Sequence, residues 1–416
     1  MSNLEELIER LCPDGVEYKT LGDVATISRG GNFQKKDFTE QGKPCIHYGQ
    51  IYTRYGLFTD NTLTFINDEC FAKQKYAEPN DIIMAVTSEN IEDICKCVAW
   101  LGTEKVAVSG HSAIIHHSLD PKYLAYFFHS QHFFNQKRRL AHGTKVMEVT
   151  PDTLKSIQLP VPPLEVQREI VRILDNFTFL TTELAAELAA ELAARQKQYE
   201  YYKEYLFENH IFDVEWKRLD ELFPFIRNGF VGTIKSFFTN ETDGIRYLEG
   251  TNIHDGVISD NEVLYVTKEF HKKHIKNQLK SDDILMVQSG HIGECAVVGK
   301  KYEGSNCHAL IIMSNGGKCL SKYYVYYFHT IKGFKSLTPA ITGGTIKHVL
   351  AGKVGKIKVP VPSLEQQQRI VDILDRFDAL CNDITSGLPA EIEMRQKQYE
   401  YYRDKLLTFK ELKKEA

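Results

Sequence analysis

The chain has 416 residues, enough for about two to three domains that each bury a core. Hydrophobic residues make up 43% of it and charged residues 25%, which is the composition of an ordinary globular protein. The formal net charge of −4 argues against a protein that coats nucleic acid with its whole surface. Any contact with DNA must therefore come from local basic loops, with help from a positively charged partner.

Neither targeting nor metal-binding motifs stand out. The first residues, MSNLEE, offer neither the basic nor the apolar region of a signal peptide, and no run approaches the length of a membrane span, so we expect a cytoplasmic protein. The nine cysteines are scattered. Cys95 and Cys97 alternate as they would in a strand, and a zinc site would need further ligands, so buried free thiols are favoured.

The first predicted element is a short amphipathic helix in NLEELIERL, which ends at Cys12-Pro13-Asp14-Gly15. A globular region follows and is echoed later in the chain: EYKTLGDV at Glu17 reappears as EWKRLDEL at Glu215, and DIIM at Asp81 as DILM at Asp283. Both regions consist of short β-rich runs separated by Gly, Asn and Asp, with one aromatic helix each, from Pro121 and from Ser321. Each predicts a mixed α+β domain on a small sheet.

A long helical segment follows each globular region. LPVPPLEVQREIVRILDNF at Leu159 matches VPVPSLEQQQRIVDILDRF at Val359, and RQKQYEYY at Arg195 recurs at Arg395, all at an offset of 200 residues. Such a repeat in register indicates an internal duplication. Apolar residues at steps of three and four predict a coiled-coil seam in both copies: Ile170, Ile173, Phe177, Leu180 and Leu184, then Ile370, Ile373, Phe377, Leu380 and Ile384.

The two helical segments differ in one place. The first carries the tetrapeptide Glu-Leu-Ala-Ala three times in succession over residues 183–194, all strong helix formers. The second has Ser386-Gly387-Leu388-Pro389 there, which predicts a break or kink. An unbroken first segment from Pro163 to Phe207 would span roughly 67 Å.

These features divide the chain into four parts: a first head of residues 1–158, a first arm of residues 159–208 with the Glu-Leu-Ala-Ala repeats, a second head of residues 209–358 and a second arm of residues 359–416. Residues 1–16 are a candidate to complete the second arm. The expected fold class is α+β, with two mixed α/β heads joined by two long helical arms that pair as an antiparallel coiled coil with pseudo-two-fold symmetry.

The motifs PVPPLEVQREIVRILD and PVPSLEQQQRIVDILD, each followed by RQKQYEYY and separated by unlike heads, resemble the specificity subunit of type I restriction-modification systems. The resemblance implies that each head is a target recognition domain reading one half of a bipartite double-stranded DNA target, and that the arms set the spacer and dock other subunits. It implies no catalysis by this chain. The implied partners are two DNA adenine methyltransferase subunits, which use S-adenosylmethionine, and restriction-translocation subunits, which use ATP with Mg.

Two other classes of function are possible from the sequence. One is a coiled-coil scaffold protein whose two heads bind protein partners. An enzyme is disfavoured because the sequence has no Walker A loop and no GxGxxG, and Val161 precedes Pro162-Pro163 where an adenine methyltransferase has Asn or Asp. Glu17-Tyr18-Lys19 after Pro13-Asp14 mimics a nuclease signature only loosely, with too short a spacing for both acids to reach one metal.

The first head offers cations and amides of the types that contact phosphates and base edges. Arg29, Lys35 and Lys36 suit phosphates, Asn32 and Gln34 suit bases, and a glycine lets backbone approach a phosphate. The alternatives are a solvated loop and a turn into the last strand. The candidate DNA contacts of this head are Arg29, Gly30, Asn32, Gln34, Lys35, Lys36, Ser88, Gly143, Thr144 and Lys145.

The second head has corresponding residues, with His254 beside them: Arg227, Asn228, Lys235, Thr251, Asn252, Ser289, His291, Gly344, Thr345 and Lys347. His111 and His308 precede apolar strands, where a structural histidine is favoured over a functional one. The tyrosines near Tyr199 and Tyr399 could stack on bases, but their helical spacing favours packing of the arms or of a partner.

Overall fold

The computed structural model of the protein describes residues 3–208, 214–344, 347–382 and 387–412. The chain forms two compact units, one of residues 1–187 with 392–416 and the other of residues 188–391. Each unit therefore contains one head together with part of both arms.

The first head is built from short elements. Its strands are β1 (Tyr18–Thr20), β2 (Ala25–Arg29), β3 (Phe38–Thr39), β4 (Lys43–Ile46), β5 (Phe58–Thr59), β6 (Thr64–Ile66), β7 (Lys75–Ala77), β8 (Ile82–Ala85), β9 (Thr87–Ser88), β10 (Cys97–Trp100), β11 (Val106–Val108), β12 (Ser112–His117), β13 (Met147–Glu148) and β14 (Gln158–Pro160). Its helices are α1 (Asn3–Leu11), α2 (Leu21–Val24), α3 (Tyr48–Thr53), α4 (Asp68–Ala72), α5 (Pro121–Phe128), α6 (Gln131–Leu140) and α7 (Pro151–Leu154).

Two five-stranded sheets make the framework of this head, in the orders β2-β12-β8-β10-β5 and β3-β6-β4-β11-β7. Strand β8 is apolar along its whole length because both of its faces are covered. Ile82 and Met84 pack in one core with side chains of α5 and α6. Ile83 and Ala85 pack in another core with side chains of β4 and β11, in the second sheet. The first sheet therefore lies between the helices and the second sheet.

The first arm is a single helix, α8 (Leu164–Leu206), of 43 residues. It begins just after Pro162-Pro163 and contains all three Glu-Leu-Ala-Ala repeats, so the prediction of an unbroken helix is confirmed. At about 1.5 Å per residue its length is roughly 64 Å.

The second head repeats the pattern of the first. Its strands are β15 (Glu215–Arg218), β16 (Phe225–Asn228), β17 (Phe238–Thr239), β18 (Gly244–Leu248), β19 (Ile253–His254), β20 (Val257–Ile258), β21 (Leu264–Thr267), β22 (Ile284–Val287), β23 (Cys295–Val297), β24 (Asn306–Cys307), β25 (Leu310–Ser314), β26 (Ile341–Thr342), β27 (His348–Val349) and β28 (Lys358–Val361). Its helices are α9 (Leu219–Leu222), α10 (Lys268–Lys273), α11 (Ser321–Phe328), α12 (Ile331–Ser336) and α13 (Ala351–Val354).

Here too a buried central strand has two covered faces. The sheets have the orders β16-β25-β22-β23 and β17-β21-β18-β24. In β22, Ile284 and Met286 share a core with aromatic residues of α11, whereas Leu285 and Val287 share one with Leu248 of β18. The divergent sequences of the two heads therefore fold on the same plan.

The second arm consists of two helices, α14 (Leu364–Asn382) and α15 (Leu388–Leu406). The predicted interruption is confirmed, because α15 starts next to Gly387 and has Pro389 in its first turn, where proline is tolerated. Ser386 and Ile384 lie outside the described residues.

Within the first unit, the start of the first arm packs against the end of the second. The rings of Phe177 and Tyr402 stack at 5.9 Å, and the Thr178 and Tyr399 hydroxyls are 3.0 Å apart. From Phe177 to Thr178 the residue number rises along the first arm, whereas from Tyr402 to Tyr399 it falls along the second arm. The two segments therefore run antiparallel.

Within the second unit, the end of the first arm packs against the start of the second in the same way. Phe377 stacks on Tyr202 at 5.6 Å, and Phe207 and Ile370 share a buried core. The seam is not uniformly buried, since Leu180, which the spacing placed on it, is 59% exposed. The predicted fold class, two mixed heads with antiparallel helical arms, is confirmed.

The N-terminal segment lies against the end of the second arm. Leu4 and Leu407 share a buried core. The backbone N–H of Val16 donates to the carbonyl of Lys410 at 2.8 Å, and that of Leu412 donates back to Val16 at 2.9 Å.

Each head also contacts the end of the arm that does not follow it directly. The Asp404 carboxylate of the second arm accepts from the backbone N–H of Gln131 at 3.3 Å, at the start of α6. The Glu204 carboxylate of the first arm accepts from Ile331 at 2.8 Å, at the start of α12. A carboxylate at a helix N-terminus satisfies an unpaired backbone donor and complements the helix dipole.

Candidate nucleic-acid interface

A short pairing of strands joins two of the predicted loops in the first head. Strand β13 pairs with β9, with Met147 opposite Ser88 and Glu148 opposite Thr87. His142 pairs with Glu148 and closes a hairpin. Its tip is formed by three exposed candidates, Gly143, Thr144 and Lys145. The structure therefore brings Ser88 beside this hairpin, although the two are far apart in the sequence.

Arg29 belongs to the same surface. It ends β2 and is exposed, and its guanidinium donates to the Gly110 carbonyl at 2.9 Å and to the Glu148 carboxylate at 2.8 Å. The sequence did not indicate a role for Glu148. It is a single acidic residue shortly before Pro151, and its partner Arg29 is far away in the sequence. We call Arg29, Ser88, Glu148 and the hairpin tip 143–145 the first-head loop surface.

The loop after Arg29 presents its polar side chains to solvent. Asn32, Gln34, Lys35 and Lys36 are all exposed. The backbone N–H of Asn32 donates to the Gln74 side chain at 2.8 Å, and a turn of 3₁₀ helix covers residues 35–37. The loop is therefore held by its backbone, which leaves its cations and amides at the surface.

The glycines of this surface have structural reasons of their own. A Cβ on Gly30 would lie 2.1 Å from the carbonyl oxygen of Ser109, on the neighbouring backbone segment of the same head. Gly143 has a φ of +111°, which side chains rarely adopt, and a Cβ there would lie 2.1 Å from the Val146 carbonyl. Close backbone packing and a tight turn explain these two glycines without a phosphate.

The second head repeats the loop pairing with different residues. Ser289 pairs with His348, and the backbone N–H of Val349 donates to the Gln288 carbonyl at 2.9 Å. Ser289 therefore lies beside the β26–β27 hairpin, which carries the exposed Gly344 and Lys347. Thr345 lies outside the described residues.

Three candidates of the second head lie near each other but differ in exposure. The rings of His254 and His291 are 6.0 Å apart, and both residues are exposed, as is Thr251. Asn252 is 1% exposed, and its amide accepts from the Glu249 backbone and donates to the Asn261 carbonyl. The Asn252 side chain is therefore committed to its own loop.

Arg227 points into the second head. Its guanidinium donates to the Ser314 hydroxyl at 2.8 Å and to the Gln278 carbonyl at 3.2 Å, and lies 3.8 Å from the buried Asp283 carboxylate. Burial raises the pKa of Asp283. The neighbouring Asn228, like Lys235 further on, is exposed.

The two strand-opening histidines have different surroundings. His111 is exposed, with its ring 4.9 Å from that of Tyr48. His308 is half-buried, and its Nδ1 lies 3.2 Å from the Tyr247 hydroxyl. Nearby, burial lowers the pKa of His47, and Lys35 adds to the effect.

A basic run on α6 was also missed. Arg138 and Arg139 are exposed at the end of this helix, immediately before the hairpin of the first-head loop surface. Lys137 instead turns inward, is 5% exposed, and donates to the carbonyls of Ile94 at 2.6 Å and Glu92 at 3.0 Å. Burial lowers the pKa of Lys137. The Lys-Arg-Arg triplet itself was the signal in the sequence.

Eight of the nine cysteines are buried, and Cys70 is half-buried. All nine thiols are free, and burial raises the pKa of Cys95 to about 12 and also raises that of Cys97. No cluster of His, Cys, Asp and Glu suited to a metal ion occurs in the part of the chain that the structure describes. Within the same residue ranges, none of the helices is both long and apolar enough to cross a membrane.

The fold and these surfaces define a class of protein: two related heads, each with a loop-and-hairpin surface of its own, carried on antiparallel helical arms. The family model for the type I restriction modification DNA specificity domain matches residues 13–194 and again residues 212–394. The chain therefore belongs to the family of type I restriction-modification specificity subunits, as the repeated arm motifs suggested.

Individual relatives agree with this assignment. The chain is 29% identical to a putative type I restriction enzyme specificity subunit of Haemophilus influenzae, over 98% of this chain and 100% of that one. It is 36% identical to the EcoR124I/EcoR124II specificity subunit of Escherichia coli, over 61% and 63% of the two chains. As a member of this family, the chain is a DNA-recognition subunit and not itself an enzyme.

Solved structures share the fold. The HsdS subunit of Thermoanaerobacter tengcongensis superposes with a TM-score of 0.59 at 18% identity, over 96% of this chain and 99% of that one. A chain from work on complex assembly and conformational transition of the type I R-M system superposes with a TM-score of 0.67, also at 18% identity, over 96% and 98%.

Proposed function

We propose that each head reads one half of a bipartite DNA target and that the arms set the spacer between the halves. The observation that carries the proposal is that both heads build the same loop-and-hairpin pairing, β13 on β9 and His348 on Ser289, from different side chains. A shared frame with different polar groups suits two different base sequences. The alternative, heads that bind protein partners, is distinguished by the exchange of one head.

Exchange of one head tests this proposal. Residues 17–158 are replaced by the matching segment of another specificity subunit, the chain is co-expressed with its methyltransferase subunits, and methylated adenines are mapped across the genome. We expect one half of the target to change while the other half and the spacer persist. A single continuous target, or a target that does not follow the heads, would contradict the proposal.

The negative net charge shapes how binding should occur. Phosphate contacts release counterions, so affinity from a few basic loops falls steeply with salt. The isolated subunit, with a formal charge of −4, is expected to bind DNA weakly, and the methyltransferase subunits are expected to tighten binding by completing a clamp. Equal affinities with and without those subunits, measured across a salt series, would argue against the clamp.

We further propose that exposed tyrosines on the arms dock the two methyltransferase subunits. Tyr201 is 63% exposed and its copy Tyr401 is 62% exposed, whereas the adjacent Tyr202 and Tyr402 stack on phenylalanines of the opposite arm. Exposed aromatic side chains are typical anchors of protein interfaces.

Substitution of the tyrosines separates docking from packing. Tyr201→Ala with Tyr401→Ala should abolish copurification of the methyltransferase subunits and change the unfolding midpoint little, because the ring contacts of Tyr201 with Tyr202 and Tyr205 and of Tyr401 with Tyr402 lie within one helix. The matched pair Tyr202→Ala with Tyr402→Ala should lower the midpoint, because it removes stacked contacts. Normal assembly by the first pair would place the docking surface elsewhere.

In this proposal the cofactors belong to the partners. S-adenosylmethionine would bind the methyltransferase subunits, and ATP with Mg would bind the restriction-translocation subunits. The cytoplasm is the proposed location, because the DNA and these partners act there.

A further inference from the structure

Two acceptors from different loops hold Arg29 along one edge of its guanidinium. Nε donates to the Gly110 carbonyl oxygen at 2.9 Å, and Nη2 donates to Oε1 of Glu148 at 2.8 Å. These two donors point to the same side of the planar group. The outer edge, formed by Nη1 and the second N–H of Nη2, has no hydrogen-bond partner in the described part of the chain. The side chain is 49% exposed.

We infer that Arg29 reads a guanine of the first half-site through this outer edge, with Glu148 as its positioning residue. The inference rests on the proposed function. Guanine presents O6 and N7 side by side in the major groove, and two parallel N–H groups of an arginine match that pair of acceptors. A guanidinium already fixed along its other edge loses little freedom when it binds.

The surroundings of Glu148 favour this role over a plain surface ion pair. Exposed ion pairs contribute little to stability by themselves. The backbone of Glu148, however, is held in both the β13–β9 pairing and the bridge to His142, which anchors the residue beside Arg29. A carboxylate on a surface that faces phosphates lowers affinity. Its presence there is explained if it orients the arginine that contacts the base.

The second head supplies a matched position. Gly30 and Gly229 both lie close to a neighbouring backbone segment of their own head. An added Cβ would lie 2.1 Å from the Ser109 carbonyl oxygen at Gly30 and 2.6 Å from the Cys307 carbonyl oxygen at Gly229. Asn228 precedes Gly229 as Arg29 precedes Gly30, and it is exposed. An asparagine amide matches adenine rather than guanine. Asn228 is therefore the control site for the other half of the target.

The test uses the complete methyltransferase complex and a library of sites that carry each single base change in either half. Arg29→Lys and Glu148→Ala should each lower the preference at one and the same base pair of the first half-site, by roughly 5- to 150-fold. Glu148→Gln, which still accepts a hydrogen bond, should keep most of the preference. Asn228→Ala should leave that base pair unaffected.

A double substitution isolates the positioning role. In an Arg29→Ala background, Glu148→Ala should cause no further loss of preference and should raise overall affinity, because an unpaired carboxylate is removed from the DNA surface. A full additional loss of preference in that background would show that Glu148 acts independently of Arg29.

Two results would overturn the inference. One is an unchanged preference at every base pair in both Arg29→Lys and Glu148→Ala. The other is an equal weakening of all sites with a smaller salt dependence, which identifies a phosphate contact. Unfolding midpoints are measured for each variant. If Glu148→Ala does not fold, the base preferences of Arg29→Lys and Glu148→Gln are used to test the inference. Failure of the proposed function itself appears separately, as a wild-type target that does not follow an exchanged head.

Discussion

The Asp175 carboxylate on the first arm accepts a hydrogen bond from the Tyr126 hydroxyl of the first head at 2.8 Å. Lys122 donates to the same carboxylate at 2.7 Å. The second unit repeats this contact, with Tyr326 2.6 Å from Asp375 and Lys322 donating to it at 2.9 Å. The contact persists in both copies although the heads have diverged, which indicates that each head must be fixed to its arm in one orientation.

Removal of this carboxylate should weaken the attachment of the head. Asp175→Ala removes the charged acceptor of the buried Tyr126 hydroxyl, which still has Thr178 Oγ1 at 3.1 Å, and it also removes the partner of Lys122. We expect a loss of about 1–3 kcal/mol of unfolding free energy. Denaturant unfolding measures the loss, with Asp375→Ala as the matched variant and the exposed Glu183→Ala as a control near zero. Equal midpoints for Asp175→Ala and Glu183→Ala would show that the contact is incidental.

Deletion of one tetrapeptide from the first arm should alter spacing alone. Removal of Glu187 to Ala190 shortens α8 by roughly 6 Å at about 1.5 Å per residue, which is just under two base pairs of DNA. We expect a shorter spacer with both half-sites intact, as read by mapping methylated adenines in cells. Altered half-sites with the original spacer would show that the arm does not act as a ruler.

Acid should destabilise the two heads differently. His129 and His329 end the equivalent helices α5 and α11. Burial, reinforced by Arg403, lowers the pKa of His129 to about 4. Burial alone would also lower that of His329, but Cys295 and the Glu294 carboxylate, 3.4 Å away, outweigh it and raise the pKa to about 10.

The sign of the effect follows from where each histidine binds its proton. Between about pH 6.5 and pH 4 the unfolded chain protonates His129 while the folded head does not, so stability falls by on the order of 1–3 kcal/mol. His329 keeps its proton in that range. Its contribution to the stability of the second head is lost only as the pH rises through its raised pKa. Hydrogen exchange at pH 7 and pH 5 should show faster opening of α5 than of α11, and His129→Gln should reduce the difference. Equal acceleration of both helices would contradict the prediction.

Arg227 should matter for the stability of the second head. Arg227→Met removes its bonds to Ser314 and Gln278 and leaves the Asp283 carboxylate, with a 3% exposed side chain, without a nearby cation. We expect a loss of about 2–4 kcal/mol and unchanged base preference. Unfolding measurements beside methylation mapping distinguish the outcomes, with the exposed Asn228→Ala as control for stability. If Arg227→Met kept wild-type stability and altered the half-site, Arg227 would be a DNA contact and not a structural residue.

The sequence by itself determined the features that depend on neighbouring residues. The duplication, the unbroken first arm and the interruption before Leu388 follow from helix periodicity, helix-forming repeats and the positions of glycine and proline. The β-rich runs at Ile82 and Ile284 likewise indicated strands. The helix, break and strand signals are local, and the duplication appears when the sequence is compared with itself, so reading them requires no knowledge of the fold.

Only the tertiary structure decided where polar side chains point. Arg29 and Arg227 both lie near the ends of corresponding strands, β2 and β16, yet the first meets Glu148 at the surface and the second meets Asp283 in the interior. The difference arises from strand pairing between distant parts of the chain and from burial. Since a side chain's partners come from other elements, the sequence could name candidate residues for the DNA surface, but only the fold brought Arg29, Ser88 and the hairpin 143–145 together.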